Sequence, residues 1–225
     1  MTDKTKLLLT AAPTAIAGCG IMGLLIFAPA GTLSYQGAWS LLGILFVPMT
    51  VMGIIMYIKS PELLRRRLAS KEQRSTQQGV IKLSGLIFVA GFIIAGLDYR
   101  WGWSDVPQWV VYGSALLFLV GYALYGEVMR ENVWLSRTVR VEDEQEVITT
   151  GLYGIVRHPM YTATLLMFLA MPLVLGSWWA GLIFALYIPV IVRRILDEEK
   201  LLRAELKGYN EYCNRLRWRL IPYIW

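Results

Sequence analysis

Four stretches of the chain carry no Asp, Glu, Lys or Arg: Leu7 to Tyr57, Leu83 to Leu97, Val106 to Gly126, and His158 to Val192. A bilayer core of about 30 Å is crossed by about 20 helical residues, so the first and last stretches are too long for one crossing and must fold back. Turn residues mark where. Ala28-Pro29-Ala30-Gly31 parts a span of Leu7 to Phe27 from one of Trp39 to Tyr57, and Gly176-Ser177 parts Tyr161 to Leu175 from Trp178 to Ile195. The pattern predicts an all-α, multi-pass transmembrane protein of about six spans, ending in a helical hairpin and a polar tail.

The basic residues follow the same rhythm. Lys4 and Lys6 precede the first span. Lys59, Arg65, Arg66, Arg67, Lys71 and Arg74 lie between the second and third, and Arg130, Arg137, Arg140 and Arg157 between the fourth and fifth. The tail from Arg193 is basic again, while the intervening turns hold only Arg100. Cytoplasmic loops retain Lys and Arg, so both termini are expected in the cytoplasm, in a bacterial inner membrane or an ER-type membrane. The net charge of +6 then reports topology and attraction to anionic lipid rather than nucleic-acid binding. Composition agrees: 17% charged residues and a mean hydropathy of +0.49 depart from a soluble domain, where about 25% are charged. Leu7 to Phe27 has the flanks of a signal peptide, but its apolar run exceeds the roughly 7 to 15 residues of such a segment, and it is read as a span. Two cysteines, Cys19 and Cys213, and one histidine argue against a disulfide framework and against a Cys- or His-based metal site.

Two regions differ in chemistry. Residues 1–126 hold four apolar spans rich in Gly, Ala and Met, with a basic connector at 59–78 that reads as a topology anchor or an interfacial helix. Asp98, Tyr99, Arg100, Trp101 and Trp103 form an external turn with an aromatic belt. In residues 127–225, polar groups gather beside the membrane segments. Glu127, Arg130, Glu131 and Asn132 end the fourth span at helical pairing distances, and the acidic Glu142-Asp143-Glu144-Gln145-Glu146 precedes Gly151-Leu152-Tyr153-Gly154. Arg157-His158-Pro159-Met160-Tyr161 opens the fifth span. Proline suits a first helical turn, which puts His158 at the N-cap and leaves free N–H groups that suit an anion. An interfacial arginine and a simple cap are the plainer reading. Asp197-Glu198-Glu199 follow the sixth span, where a helix C-terminus disfavours acids, so a partner charge is expected. In a hairpin that partner is Arg157 or His158. The tail from Gly208 to Tyr223 alternates aromatics with arginines and is expected to fold back over this mouth.

At these residues the sequence resembles the integral membrane methyltransferases that include isoprenylcysteine carboxyl methyltransferase and the phospholipid N-methyltransferases. The resemblance runs through Gly151-Leu152-Tyr153, Arg157 to Tyr161, Glu198-Glu199 with Leu202, Tyr209, Tyr212, and Arg217 to Pro222. It implies an S-adenosylmethionine pocket built from the last two spans and the tail. Gly151, Tyr153, His158, Pro159, Tyr161, Glu198 and Glu199 are then the cofactor-side candidates, and Arg194, Arg157 and Asn132 the catalytic candidates, with Arg194 facing the acceptor. Gln145-Glu146-Val147-Ile148 depart from the His-Thr-Leu-Val type stretch of the isoprenylcysteine enzymes.

Independently of that resemblance, a sulfonium and an ammonium need carboxylates or aromatic faces, and a carboxylate needs a basic group or helix start. The hairpin mouth has both. Methyl transfer is an in-line displacement in which positioning and desolvation supply most of the acceleration, and no metal is called for. The expected acceptor is a lipophilic molecule reaching the site sideways from the bilayer: an isoprenylcysteine-type carboxylate, or a phospholipid amine. Two rivals remain. Arg219-Leu220-Ile221-Pro222-Tyr223 is similar to the ends of membrane sterol reductases, which use a nicotinamide cofactor, and a non-enzymatic scaffold would need the polar cluster only to cap helices.

Overall fold

The computed structural model describes residues 3–68, 75–135, 141 and 144–225; Lys71, Arg74, Arg137, Arg140, Glu142 and Asp143 lie outside the described residues. The helices are α1 (Asp3–Ala30), α2 (Gln36–Lys59), α3 (Pro61–Leu68), α4 (Ser75–Trp101), α5 (Gln108–Glu131), α6 (Pro159–Val174), α7 (Trp178–Ala185), α8 (Tyr187–Glu205) and α9 (Tyr209–Arg215), with a 3₁₀ turn at Gly151–Gly154. The described residues contain no strand, in keeping with the all-α expectation.

Five segments are long and apolar enough to cross a membrane: Leu7–Ala30, Gln36–Lys59, Gln77–Trp101, Gln108–Glu131, and α7 with α8 as Trp178–Glu205. The remaining expected span, α6, has 16 residues. Large apolar side chains point outward along these helices, with Ile16 73%, Leu24 67%, Leu86 64%, Leu116 65% and Leu182 64% exposed. Such a surface is stable only in lipid, and the chain is an integral membrane protein.

The breaks fall where turn chemistry puts them. Gly31 and Gly176 take left-handed φ of 70° and 73°, closing α1 and α6, and the Ser177 hydroxyl caps α7 by accepting from the Ala180 N–H at 3.0 Å. One break is not legible as a turn. The last span divides at Leu186 because Pro189 has no N–H to give the Ala185 carbonyl one turn back.

Helix α4 is central and packs on α1, α7 and α8; α5 lies along α6, and α2 joins α1 to α5 and α6. Close approach uses glycine. A Cβ on Gly96 would sit 2.4 Å from the Ile26 carbonyl oxygen, and one on Gly121 would sit 2.9 Å from the Met167 side chain and 3.1 Å from the Ala163 oxygen. These contacts bring α1 against α4 and α5 against α6 with backbones nearly touching, as lipid-embedded helices require in the absence of a hydrophobic drive. The interior is filled by Ile26, Leu41, Phe92, Phe118 and Phe184. Helix α3 belongs to the 59–78 connector, yet its buried Leu63 packs with Val128, Met129, Leu135 and Tyr153 at the end of the bundle where α5, α6, α8 and α9 meet.

Candidate functional site

At that end lies an open cavity, about 850 Å³ of space with its mouth included. One stripe of α8 forms a wall. Arg194, Glu198, Leu202 and Leu206 all line it, and their four-residue spacing keeps them on one helix face. Opposite stand Arg157, His158, Met160 and Tyr161 from the start of α6, with Asn132, Trp134 and Tyr153 beside them and Tyr209 and Tyr212 from α9. Gln145, Glu146, Val147 and Ile148 supply the remaining side.

The charged groups are arranged in two linked sets. In the first, the Tyr161 hydroxyl donates to Glu198 Oε2 and accepts from Arg194 Nε at 2.9 Å, with the guanidinium 5.9 Å from the ring centroid. Tyr161 therefore holds a carboxylate and a guanidinium side by side on the cavity wall. In the second, the buried Glu199 meets Arg157 Nη2 at 3.2 Å, His158 Nε2 at 3.2 Å and Arg219 Nη2 at 3.0 Å. The tail closes behind this set: the N–H groups of Arg157 and His158 donate to the carbonyls of Trp218 and Arg219, each at 2.9 Å. The Thr162 hydroxyl adds a bond of 2.8 Å to the Leu220 carbonyl.

Around the far wall, Asn132 Nδ2 donates to the Tyr153 hydroxyl at 2.8 Å, and the Tyr212 hydroxyl donates to the Tyr153 carbonyl at 2.6 Å. Burial pushes Tyr153 up to about 12, with the Asn132 hydrogen bond opposing and the Glu198 charge reinforcing. Burial likewise raises Tyr209 and Tyr212. All three phenols stay protonated near neutral pH. Two buried polar atoms on this wall, Tyr209 Oη and Arg157 Nε, have no hydrogen-bond partner among the described residues.

Of the residues singled out by sequence, Asn132, Tyr153, Arg157, His158, Tyr161, Arg194 and Glu198 line the cavity. Gly151, Pro159 and Glu199 stand behind it. Gly151, at φ 55°, makes its close approach to the Glu131 side chain, which also accepts from the Thr150 hydroxyl. Pro159 is the first residue of α6 as expected, but His158 makes no side-chain cap, because its ring is turned to Glu199. The free helix start is also curtailed, since the Tyr161 N–H returns to the His158 carbonyl at 3.0 Å. The expected partner charges meet Glu199, which takes Arg157 and His158, whereas Asp197 takes the neutral Gln77 Nε2 at 2.7 Å. Sequence reasoning did not single out Trp134, Leu202 or Leu206 as lining residues; the last two were findable from the four-residue spacing after Glu198.

The family model for phospholipid methyltransferases matches residues 109–207, which run from α5 to just beyond α8 and carry most of the cavity wall. This stretch is similar to the phospholipid methyltransferase family. The resemblance seen in Gly151 to Tyr161 and Glu198-Glu199 falls inside the matched stretch, whereas Tyr209, Tyr212 and the tail lie beyond it. A second similarity is partial. The Delta(14)-sterol reductase TM7SF2 of Mus musculus is 32% identical over 124 residues, covering 49% of this chain and 30% of the reductase.

Proposed function

We propose that the chain transfers a methyl group from S-adenosylmethionine to a lipophilic acceptor at the cytoplasmic membrane interface, and that the acceptor is an isoprenylcysteine-type carboxylate. The observation carrying this reading is the triplet Arg194, Tyr161 and Glu198 on the wall of the cavity in the matched stretch. The residues present fit the cofactor. Glu198 and Glu146 suit its cationic groups, and the unpartnered donors Tyr209 Oη and Arg157 Nε suit its carboxylate. When bound, the cofactor supplies an electrophilic methyl group.

The chain's own residues then have separate tasks. Tyr153 and Tyr161 present aromatic faces beside the carboxylates, Leu202 and Leu206 keep that wall dry, and Glu199 fixes Arg157 and His158 in place from behind. Arg194, held by Tyr161, orients the acceptor carboxylate, because a guanidinium pairs with an anion and repels a protonated amine. The basic residues at this end of the bundle, including Arg65, Arg66, Arg67 and Arg193, support its cytoplasmic placement and that of both termini.

A phospholipid amine as acceptor draws support from the family match, and a nicotinamide-dependent reaction from the partial similarity to the reductase. Calorimetric titration in detergent separates the cofactors: S-adenosylhomocysteine is expected to bind and NADPH is not, and the reverse result overturns the proposal. Transfer of radiolabelled methyl to a prenylcysteine analogue and to phosphatidylethanolamine separates the acceptors. Arg194→Lys is expected to lower turnover of the carboxylate about tenfold or more while cofactor affinity stays within about twofold. Equal turnover by wild type and variant, or transfer only to the amine, removes the carboxylate reading.

A further inference from the structure

Helix α3 lies in the half of the chain that looked chemically inert, and it brings guanidinium groups to the cavity's outer wall. Its sequence, Pro61-Glu62-Leu63-Leu64-Arg65-Arg66-Arg67-Leu68, buries Leu63 and Leu64 and leaves Arg65 at the surface beside Glu62, at 3.1 Å. Arg66 turns toward the segment after α5, donating to the Val133 carbonyl at 3.1 Å and lying 5.1 Å from the Trp134 ring centroid. Arg67 reaches furthest in. Its Nη1 stands 3.9 Å from the sulfur of Met160, a cavity-lining residue, and its guanidinium is 5.3 Å from the Tyr125 ring centroid. Its charge also acts on the Tyr153 phenol.

The surroundings of Arg67 differ from the rest of the bundle. Met52, Met56 and Met160 are partly buried in the cluster that joins α2, α3, α5 and α6, and the Met52 methyl rests against bare backbone, 2.9 Å from where a Cβ on Gly126 would be. Methionine is unbranched and polarisable, so a wall of thioethers adapts to a flexible alkyl or prenyl chain where a wall of branched side chains would not. A cation set among such side chains, one residue away from the cavity and on the side of the bilayer-facing helices, is matched to an amphiphile with one anionic group next to its tail.

We propose that Arg67 is an acceptor-binding residue, which engages the anionic group of a membrane amphiphile while the chain of that amphiphile lies along Met52, Met56 and Met160. The proposal rests on the methyltransferase reading for the meaning of "acceptor", but the binding it asserts does not require turnover. The anion can be the carboxylate of a prenylcysteine or the phosphate of a phospholipid. The two sources share one chemistry, and the experiment tells them apart.

Binding of N-acetyl-S-farnesylcysteine, of its neutral methyl ester, and of phosphatidylethanolamine to the full chain in detergent would be measured by equilibrium partition of radiolabelled probe. Wild type would be compared with Arg67→Ala, Arg67→Lys and the surface control Arg65→Ala. Thermal melting and S-adenosylhomocysteine affinity would be read on every variant. Arg67→Ala is expected to weaken one anionic probe about tenfold, leave the methyl ester within about twofold, and leave adenosylhomocysteine binding unchanged; Arg67→Lys is expected to recover most of the loss. The probe that responds identifies carboxylate or phosphate. Wild type binding neither anionic probe, Arg67→Ala binding both as wild type does, or parallel losses for ester and anion each overturn the proposal. Failure of adenosylhomocysteine to bind wild type, with the Arg67 effect intact, would instead remove the methyltransferase reading alone.

Discussion

The two ends of the bundle each bury a carboxylate, and the two are held in opposite ways. Asp98, 2% exposed, accepts from the Ser104 N–H at 2.7 Å, from the Ser104 hydroxyl at 2.6 Å and from the Ser177 hydroxyl, and Ser177 in turn caps α7. Every one of these donors is neutral. Glu199, 3% exposed, is ringed by Arg157, His158 and Arg219. The Asp98 cluster ties the α4–α5 loop to the α6–α7 turn and nothing more. Glu199 ties together three segments that form the site: the start of α6, the shaft of α8 and the tail. Its neighbour Glu198 is about 100° further round the helix and therefore faces the cavity. Charge-paired burial of one acid thus aims the other, whereas hydroxyl-bound burial only fastens a corner.

Three substitutions test that contrast. The largest effect is expected from Glu199→Ala, which strands Arg157 and His158 in the interior; loss of about 3 to 5 kcal/mol is expected, read as a strong fall in melting temperature or as failure to fold. An unaltered melting temperature would show the cluster to be solvated and the contrast false. Glu198→Gln is expected to leave melting nearly unchanged and to weaken adenosylhomocysteine binding by about 1.5 to 3 kcal/mol, checked by calorimetry. If affinity holds, Glu198 reverts to an ordinary helix-end acid. The smallest effect is expected from Asp98→Asn, which keeps most of the hydroxyl bonds: about 1 to 2 kcal/mol of stability, with ligand affinity untouched. A loss of binding from this far end would mean that the two clusters are coupled through the helices.

Much of this was legible in one sequence, and the reasons are local. Apolar runs and glycine turns depend on neighbours in the chain, so the breaks at Gly31 and Gly176 and the crossing pattern could be read directly. Pro159 at the start of α6 and the acids of α8 were found for the same reason, because capping and helix polarity act within one turn. Contacts between distant residues were not legible in that way. That Tyr161 would sit between Glu198 and Arg194 follows from how α6 meets α8, and periodicity says nothing of it. The same limit applies to α3: Arg65, Arg66 and Arg67 read alike as topology anchors, yet one helical turn of geometry sends them to Glu62, Trp134 and Met160 respectively. The kink at Leu186 was overlooked because Pro189 acts on a carbonyl four residues back.

The shortness of α6 bears on where chemistry happens in depth. Its 16 residues extend about 24 Å, less than the roughly 30 Å hydrocarbon thickness that its neighbours bridge. With its far end pinned through Ser177 to Asp98, the shortfall falls on the end that carries His158 and Tyr161. With the far end at one interface, the floor of the cavity lies about 6 Å short of the other. An amphiphile could then present its polar end to the cavity without lifting its tail out of the hydrocarbon.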